Sequence, residues 1–228
     1  FSAVVLLFYK STQVASQNKL WIGMAKETAH QIGTPLSSLI GWTELLKIEA
    51  VNPEYISEIE KDIKRLETIT DRFSKIGSKP LLETSNIVSA TTESFNYLKA
   101  RNSKLIIFEM KAPETEILVA LNPELYSWAI ENLVKNGIDA MKGEGRISVS
   151  LESTETMVLI KVKDSGKGMT KKLFKKVFET GFTSKKRGWG LGLSLSKRII
   201  EEYHNGKIKV LRSEAGVGTT MQISLKIL

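Results

Sequence analysis

His30 stands in a segment whose neighbours weaken an otherwise strong helix: Ala29-His30-Gln31-Ile32-Gly33-Thr34-Pro35-Leu36. Inside a helix a proline removes a backbone donor and collides with the carbonyl four residues earlier, here that of Gln31. Gly33 lowers helix propensity further, so the turn after His30 is the bendable part of its helix. An imidazole with a reference pKa of ~6.5 is largely neutral at cytosolic pH, and it can act as a nucleophile without a strong base nearby. A lone helical histidine is ordinarily structural; the strain beside this one favours a reactive role. Glu27 lies one turn before it and Thr34 one turn after, on the same helix face.

Further clusters suit a nucleotide. In Glu131-Asn132-Leu133-Val134-Lys135-Asn136, Asn132 and Asn136 are four residues apart on one helix face, with Lys135 alongside. Their amide oxygens can help hold magnesium, which takes oxygen ligands and keeps several waters and phosphate oxygens. Asp164-Ser165-Gly166-Lys167-Gly168-Met169 follows a predicted strand. Gly166 and Gly168 permit a tight turn close to a ligand, and the Asp164 carboxylate can accept a hydrogen bond from an exocyclic amine such as adenine's. Gly188-Trp189-Gly190-Leu191-Gly192-Leu193 precedes a helix, whose positive end and backbone N–H groups can face phosphate oxygens. Between these turns, Val177-Phe178-Glu179-Thr180-Gly181-Phe182-Thr183-Ser184-Lys185 reads as a lid whose Phe178 and Phe182 pack down while Lys185 reaches a phosphate. Taken singly, each also has a plain reading: two asparagines on a helix, an Asp-Gly turn, a glycine-rich turn, a surface loop.

Two rival phosphate motifs fail on inspection. The dinucleotide fingerprint needs a third glycine where Leu193 stands, and neither Gly166-Lys167 nor Gly206-Lys207 completes a Walker loop. The absence of cysteine excludes disulfides, and with His204 the only other histidine, zinc sites built from Cys and His are close to excluded. The formal charge of +8 points to acidic partners. Lys171, Lys172, Lys175, Lys176, Lys185, Lys186 and Arg187 gather beside glycines, which favours a phosphate site over a nucleic-acid stripe, and no recognition-helix pattern stands out.

These groups need two kinds of scaffold. From Lys10 to Glu49 the chain reads as one long helix, turned at Ala50-Val51-Asn52-Pro53, with a second helix opened by Pro53 and running to about Ile76. Ile32, Leu36, Leu39, Thr43 and Leu46 alternate steps of four and three, as do Ile56, Ile59, Ile63, Leu66, Thr70 and Phe73, which predicts the seam of a helical hairpin. A second apolar stripe, including Leu20, Trp21, Met24, Ile40, Trp42, Ile69 and Ile76, predicts pairing with another copy into a dimeric four-helix bundle. Gly77-Ser78-Lys79-Pro80 marks a hinge. Beyond it the pattern predicts helices at Val88–Arg101, Glu124–Met141 and Leu191–Tyr203, and strands at Lys104–Met110, Arg146–Glu152, Met157–Lys163, Lys207–Arg212 and Thr219–Lys226. The class is α+β, with helices on one side of a mixed sheet. The division is residues 1–19 as a membrane-proximal or linker helix start, 20–77 as the histidine-bearing hairpin, and 78–228 as the nucleotide domain. Phe1 to Phe8 is nearly all apolar but far short of the ~20 residues a spanning helix needs, so it is either the end of a longer span or the buried start of the first helix.

In their order and spacing these motifs resemble the sensor histidine kinases of two-component systems over nearly the whole chain. His30 with Thr34-Pro35-Leu36 resembles the phosphoacceptor box, and Asn132 with Asn136 the magnesium-binding asparagine box. Asp164 with Gly166 and Gly168 resembles the adenine-binding glycine box, Phe178 with Phe182 the lid box, and Gly188 to Leu193 the second glycine box. Gly216-Val217-Gly218-Thr219-Thr220 resembles the closing glycine-threonine element. The resemblance implies a nucleotide-binding sandwich shared with type II topoisomerases beside a dimeric hairpin, with ATP and Mg2+ as cofactors. It also implies autophosphorylation of His30, an aspartate-bearing response regulator as acceptor, and a water positioned by Thr34 for dephosphorylating that partner. It places the chain on the cytoplasmic side of a bacterial sensor tethered to the inner membrane.

Three residues depart from the family pattern. Gln31 stands where an acidic proton acceptor is usual; it can orient the imidazole but not take its proton, a role in which Glu27 is expected to substitute. Gly33 replaces a residue commonly basic. Gly137 replaces the usual alanine of the asparagine box, with an effect expected to be confined to helix stability. Rival functions are an ATPase whose nucleotide clamps the dimer, and a regulator-binding scaffold without kinase chemistry.

Overall fold

The computed structural model describes residues 32, 36–49, 51–76, 80–185 and 190–228. The expectations for Phe1 to Phe8, Glu27, His30, Gln31, Gly33, Thr34, Gly77 and Gly188 lie outside the described residues. The chain divides into two compact units, Phe1–Pro80 and Leu81–Leu228.

In the first unit, α1 (residues 36–48) and α2 (Pro53–Ile76) form the hairpin. Asn52 Oδ1 accepts the Glu54 N–H at 3.0 Å, and Pro53 takes the first helical position, where its missing donor costs nothing. Leu36 and Thr43, seven residues apart, are buried together with Ile56 and Ile63, also seven apart. Burying Leu36, Ile56 and Ile63 contributes about 1.5–3 kcal/mol each. The predicted seam is narrower than the pattern implied: Leu39 and Ile59 are 41% and 39% exposed. Each lies three residues on, roughly 60° round its helix from the buried row, and looks out beside the seam. Lys47 on α1 ties the helices together, donating to Glu44 at 2.8 Å and to Glu60 of α2 at 2.7 Å. A hollow of about 410 Å³ near the hairpin turn is lined by Lys47, Val51, Pro53, Ile56 and Glu60 and holds none of the predicted site residues. Among the described residues no helix is long and apolar enough to cross a membrane.

The second unit runs β1 (Glu83–Asn86), α3 (Ile87–Ala100), β2 (Ile106–Lys111), β3 (Leu118–Leu121), α4 (Pro123–Ala140), β4 (Gly145–Ser153), β5 (Met157–Asp164) and α5 (Leu173–Lys176). It continues with α6 (Gly192–Arg198), a π turn (Ile199–Tyr203), β6 (Lys207–Glu214) and β7 (Gly218–Lys226). Five strands form a mixed sheet in the order β2-β4-β5-β7-β6, with β2 parallel to β4 and the other neighbours antiparallel. Alternation decides its faces: Ile147, Val149, Val158, Ile160, Val162, Met221, Ile223, Ile208 and Val210 are buried, while Ser148, Lys161, Lys163, Lys207 and Lys209 between them are not. The five strands and the main helices of the α+β domain are thus where the periodicity placed them.

Two short strands were not expected: β1 pairs antiparallel with β3 in a separate sheet, with Glu83 opposite Leu121 and Asn86 opposite Leu118. The predicted helix at 191–203 is also different in kind, since its second half is a π turn ending at His204, whose N–H reaches the Ile199 carbonyl five residues back at 3.2 Å.

Candidate active site

Helix α4 carries most of the candidate site, and its sequence explains its placement. Asn122 caps it by accepting the Leu125 N–H at 3.1 Å, Pro123 opens it, and Leu125, Tyr126, Ala129, Ile130, Leu133, Val134 and Gly137 form its buried stripe. Asn132 and Asn136 lie along the edge of that stripe, half-buried. The Asn136 Nδ2 donates to the Asn132 carbonyl at 2.8 Å, which turns Asn136 Oδ1 outward to accept from Lys185 Nζ at 3.0 Å. Lys185 Nζ also reaches Asp139 Oδ2. Asn132 Nδ2 is buried with no hydrogen-bond partner among the described residues.

Gly192, at the start of α6, faces the same pair. A Cβ there would lie 3.6 Å from Asn132 Oδ1 and 3.8 Å from Asn136 Nδ2. Gly192 of the second glycine cluster and the asparagine pair are therefore one place in the fold. Leu191 and Leu193 flank Gly192, both half-buried, and the Leu191 carbonyl is taken by the Leu195 N–H at 2.9 Å.

Asp164 ends β5 and is only 6% exposed. Its Oδ1 accepts the Gly166 N–H at 2.8 Å and the Thr219 N–H at 3.3 Å. Burial pushes its pKa above the ordinary carboxylate value, and these two N–H groups partly offset that. The turn around it is fitted backbone to backbone. At Gly168, with φ +63°, a Cβ would sit 1.9 Å from the Glu214 carbonyl oxygen; at Gly218, with φ +136°, 2.1 Å from the Asp164 carbonyl oxygen. Lys167 N–H donates to the Ala140 carbonyl at the end of α4 at 3.1 Å, and Gly166 packs on the same residue. Thr219 is held in turn by Ser213, their hydroxyls 2.8 Å apart.

Gly137 does more than weaken a helix, contrary to the expectation above. A Cβ on it would meet Asp164 Cβ at 2.9 Å and Ile147 Cδ1 at 2.8 Å, so the missing side chain is what lets α4 lie directly on the Asp164 carboxylate. This contact joins the asparagine pair to the glycine turn.

In the lid segment Phe178 and Phe182 are half-buried, and Lys176 Nζ stands 5.5 Å from the Phe182 ring centre. Gly181 N–H donates to the Gly190 carbonyl at 3.1 Å. Gly190 has φ +66°, and a Cβ on it would collide with Gly181. Among the described residues Lys185 therefore faces an amide oxygen and a carboxylate.

Two buried groups were missed as site-related by sequence reasoning. Glu131 is buried beside Asn132 and pairs with Lys135 at 3.5 Å, which engages the lysine expected to lie near the nucleotide. The pattern already placed it one residue from Asn132. His204, 6% exposed, accepts the Asn122 N–H on Nε2 at 2.9 Å, so its proton is on Nδ1, which faces the Ile199 carbonyl at 2.7 Å. It links the end of the π turn to the cap of α4, and burial lowers its pKa. Nothing in the sequence pairs His204 with Asn122.

For a divalent cation the observable donors are oxygen atoms, as magnesium prefers. Asn136 Oδ1 already accepts a positive nitrogen, a stand-in for a cation, and Asn132 Oδ1 faces Gly192 beside it. The residues fit the group. Among the described residues no cluster of three or more His, Asp or Glu side chains forms a metal cage of its own.

Residues 122–228 match the family described as Histidine kinase-, DNA gyrase B-, and HSP90-like ATPase, and residues 22–79 match the His Kinase A (phospho-acceptor) domain. The chain belongs to the sensor histidine kinases. This histidine kinase is similar to sporulation kinase E of Bacillus subtilis (strain 168), 33% identical over 211 residues that cover 90% of this chain and 28% of that protein. It is also similar to the sensor histidine kinase ZraS of Salmonella typhimurium, 32% identical over 90% of this chain and 45% of that one. Among solved structures, the catalytic domain of histidine kinase ThkA matches with a TM-score of 0.58 at 27% identity, covering 64% of this chain and 96% of that one. Histidine kinase ThkA in complex with the response regulator protein TrrA matches with a TM-score of 0.61 at 25% identity, over 97% of this chain and 66% of that one. The kinase chain spans less than half the length of sporulation kinases E, D, C and A, at 28%, 44%, 48% and 36%.

Proposed function

We propose that this chain binds Mg-ATP in its second unit, transfers the γ-phosphoryl group to His30, and passes it to an aspartate of a response regulator. The observation that carries the nucleotide reading is the convergence on one helix of the Asn132–Asn136 pair, Gly192 and, through Gly137, the buried Asp164. The match of residues 22–79 to a phospho-acceptor domain, a span that includes His30, supports the acceptor.

Asp164 selects adenine. Its Oδ1 is engaged by the Gly166 and Thr219 N–H groups, and Oδ2, which takes part in neither bond, accepts the exocyclic amine. Asn136 and Asn132 would hold magnesium, which supplies charge neutralisation on the phosphate oxygens. Lys185 and the amides from Gly190 to Leu193 line the phosphate end. A neutral nitrogen of His30 attacks the γ-phosphorus, the bond to the bridging oxygen breaks, and ADP leaves. Catalysis is positioning and charge neutralisation, as phosphoryl transfer generally is. Gln31 orients the imidazole and Glu27 takes up its proton. A carboxylate oxygen of the regulator then attacks phosphorus and the N–P bond breaks, restoring His30. ThkA with TrrA supports a regulator as partner.

The exposed row of Leu39, Trp42, Tyr55 and Ile59 on the hairpin supports a homodimer, closed into a four-helix bundle.

Incubation with γ-labelled ATP tests the reading. The wild type gains an acid-labile, base-stable phosphoryl group; His30→Ala gains none while still binding nucleotide, and Asn136→Ala loses labelling with its magnesium. ATP hydrolysis without labelling would leave the ATPase clamp, and nucleotide binding with neither would leave the scaffold.

A further inference from the structure

We propose that Asp139 is the docking residue of the lid: it holds Lys185 on Asn136 Oδ1, so that the lysine ammonium occupies the place on that oxygen which the divalent cation takes. The inference rests on the nucleotide reading above and adds to it a residue with a role of its own. Asp139 follows Asn136 by three residues, one helical turn on, so its carboxylate stands beside the amide oxygen. Lys185 Nζ bridges the two, 3.0 Å from Asn136 Oδ1 and within bonding reach of Asp139 Oδ2.

The bridge is specific within a crowded basic segment. Lysines 171, 172, 175, 176 and 185 lie close in sequence, yet among the described residues Asp139 is the carboxylate that pairs with any of them. The backbone brings Lys185 there: its own N–H is held by Thr183 Oγ1 at 3.1 Å, Phe182 N–H by the Glu179 carbonyl at 3.1 Å, and Gly181 N–H by Gly190 at 3.1 Å.

The contact is also of the right strength to be exchanged. The side chains of Lys185 and Asp139 are 42% and 52% exposed, and an ion pair so open to solvent is screened and weak. An ammonium and a divalent cation held on one amide oxygen would stand a few ångströms apart and repel each other, so the two exclude one another. With metal and nucleotide bound, Lys185 would leave Asn136 and be free to meet a phosphate, and Asp139 would recapture it after release. Asp139 is thus a positioning residue that makes the lid compete with the metal.

The test uses the full chain and Asp139→Asn, a solvent-exposed change whose folding is checked by an unchanged melting temperature. Hydrogen exchange over residues 179–185 is measured without nucleotide, and binding of a fluorescent ATP analogue is measured across a magnesium titration. Exchange should quicken, and the magnesium concentration for half-saturation should fall, each by about two- to fivefold, the range an exposed ion pair supplies. Asp139→Glu should restore both. Unchanged exchange overturns the proposal. So does a rise in the magnesium requirement, which would make Asp139 a partner of the metal and not of the lid. A wild type that binds no nucleotide sinks the kinase reading instead, and the exchange measurement still decides the docking contact.

Discussion

At the Asp164 end of the site the contacts are backbone-deep: a carboxylate 6% exposed, two N–H groups on one of its oxygens, and glycines 168 and 218 whose added Cβ would strike carbonyl oxygens at 1.9 and 2.1 Å. At the Lys185 end they are side-chain tips more than 40% exposed, joined by a screened ion pair. The first end is built before any ligand arrives and bears a buried charge to do so. The second changes partners at small cost. In the proposed function, recognition of the base falls to the rigid end, and the response to metal and phosphate to the adaptable one.

Breaking the rigid end should cost most. Gly218→Ala forces a side chain into a backbone approach at φ +136°; strain and overpacking together should remove about 2–5 kcal/mol of stability, read by chemical denaturation, and nucleotide binding with it. A melting curve like the wild type's would show that the approach is not needed. Next comes Asp164→Asn, which keeps an oxygen for the Gly166 and Thr219 N–H groups but loses the charge. ATP affinity should fall by about 10- to 100-fold, the worth of a charged hydrogen bond. Because burial holds the Asp164 pKa up, ionising it costs stability as pH rises through the folded value, so the melting temperature at neutral pH should not fall. A clear drop in melting temperature would mean that the carboxylate stabilises the fold.

Gly137→Ala probes the joint between the ends. Helix propensity improves by about 1 kcal/mol, while Asp164 Cβ and Ile147 must give way, so stability should change little and ATP affinity fall by about three- to tenfold. Unaltered affinity would return Gly137 to a purely helical role. The smallest effect concerns His204, remote from the charges of the lid. Its folded pKa is lowered below ~6.5, so the unfolded chain takes up the proton first. Stability is full above that value and is lost as pH falls through it, by at most about 1.4 kcal/mol per pH unit. His204→Asn should flatten that slope as pH falls below about 6.5; an identical slope in both proteins would place the titrating group elsewhere.

The contrast between the ends also governs what could be read in advance. Helix α4 announced itself through an apolar stripe of period 3.6, and β4 and β5 have burial that alternates residue by residue, because local propensity and burial agree there. The pairing of β1 with β3 was hidden because four-residue strands, one of them Glu-Thr-Ser-Asn, have no usable period and meet only through long-range register. The π turn at Ile199 was hidden because one extra residue per turn barely changes an apolar pattern. For the candidate site, residue types and spacing were enough to single out Asn132, Asn136, Asp164 and the glycines as candidates. They could not show that Gly137 touches Asp164, that Lys135 is occupied by Glu131, or that Lys185 meets Asp139, since each contact is made by the fold and not by neighbours in the chain.

The whole account turns on where phosphorus ends up. Peptide mapping by mass spectrometry under alkaline handling, after the full chain has been incubated with Mg-ATP, should locate a single phosphoryl group on the imidazole of His30, absent when Asn136→Ala is treated alike. Turnover of ATP with that residue unmodified, or modification of a serine or threonine in its place, would contradict it.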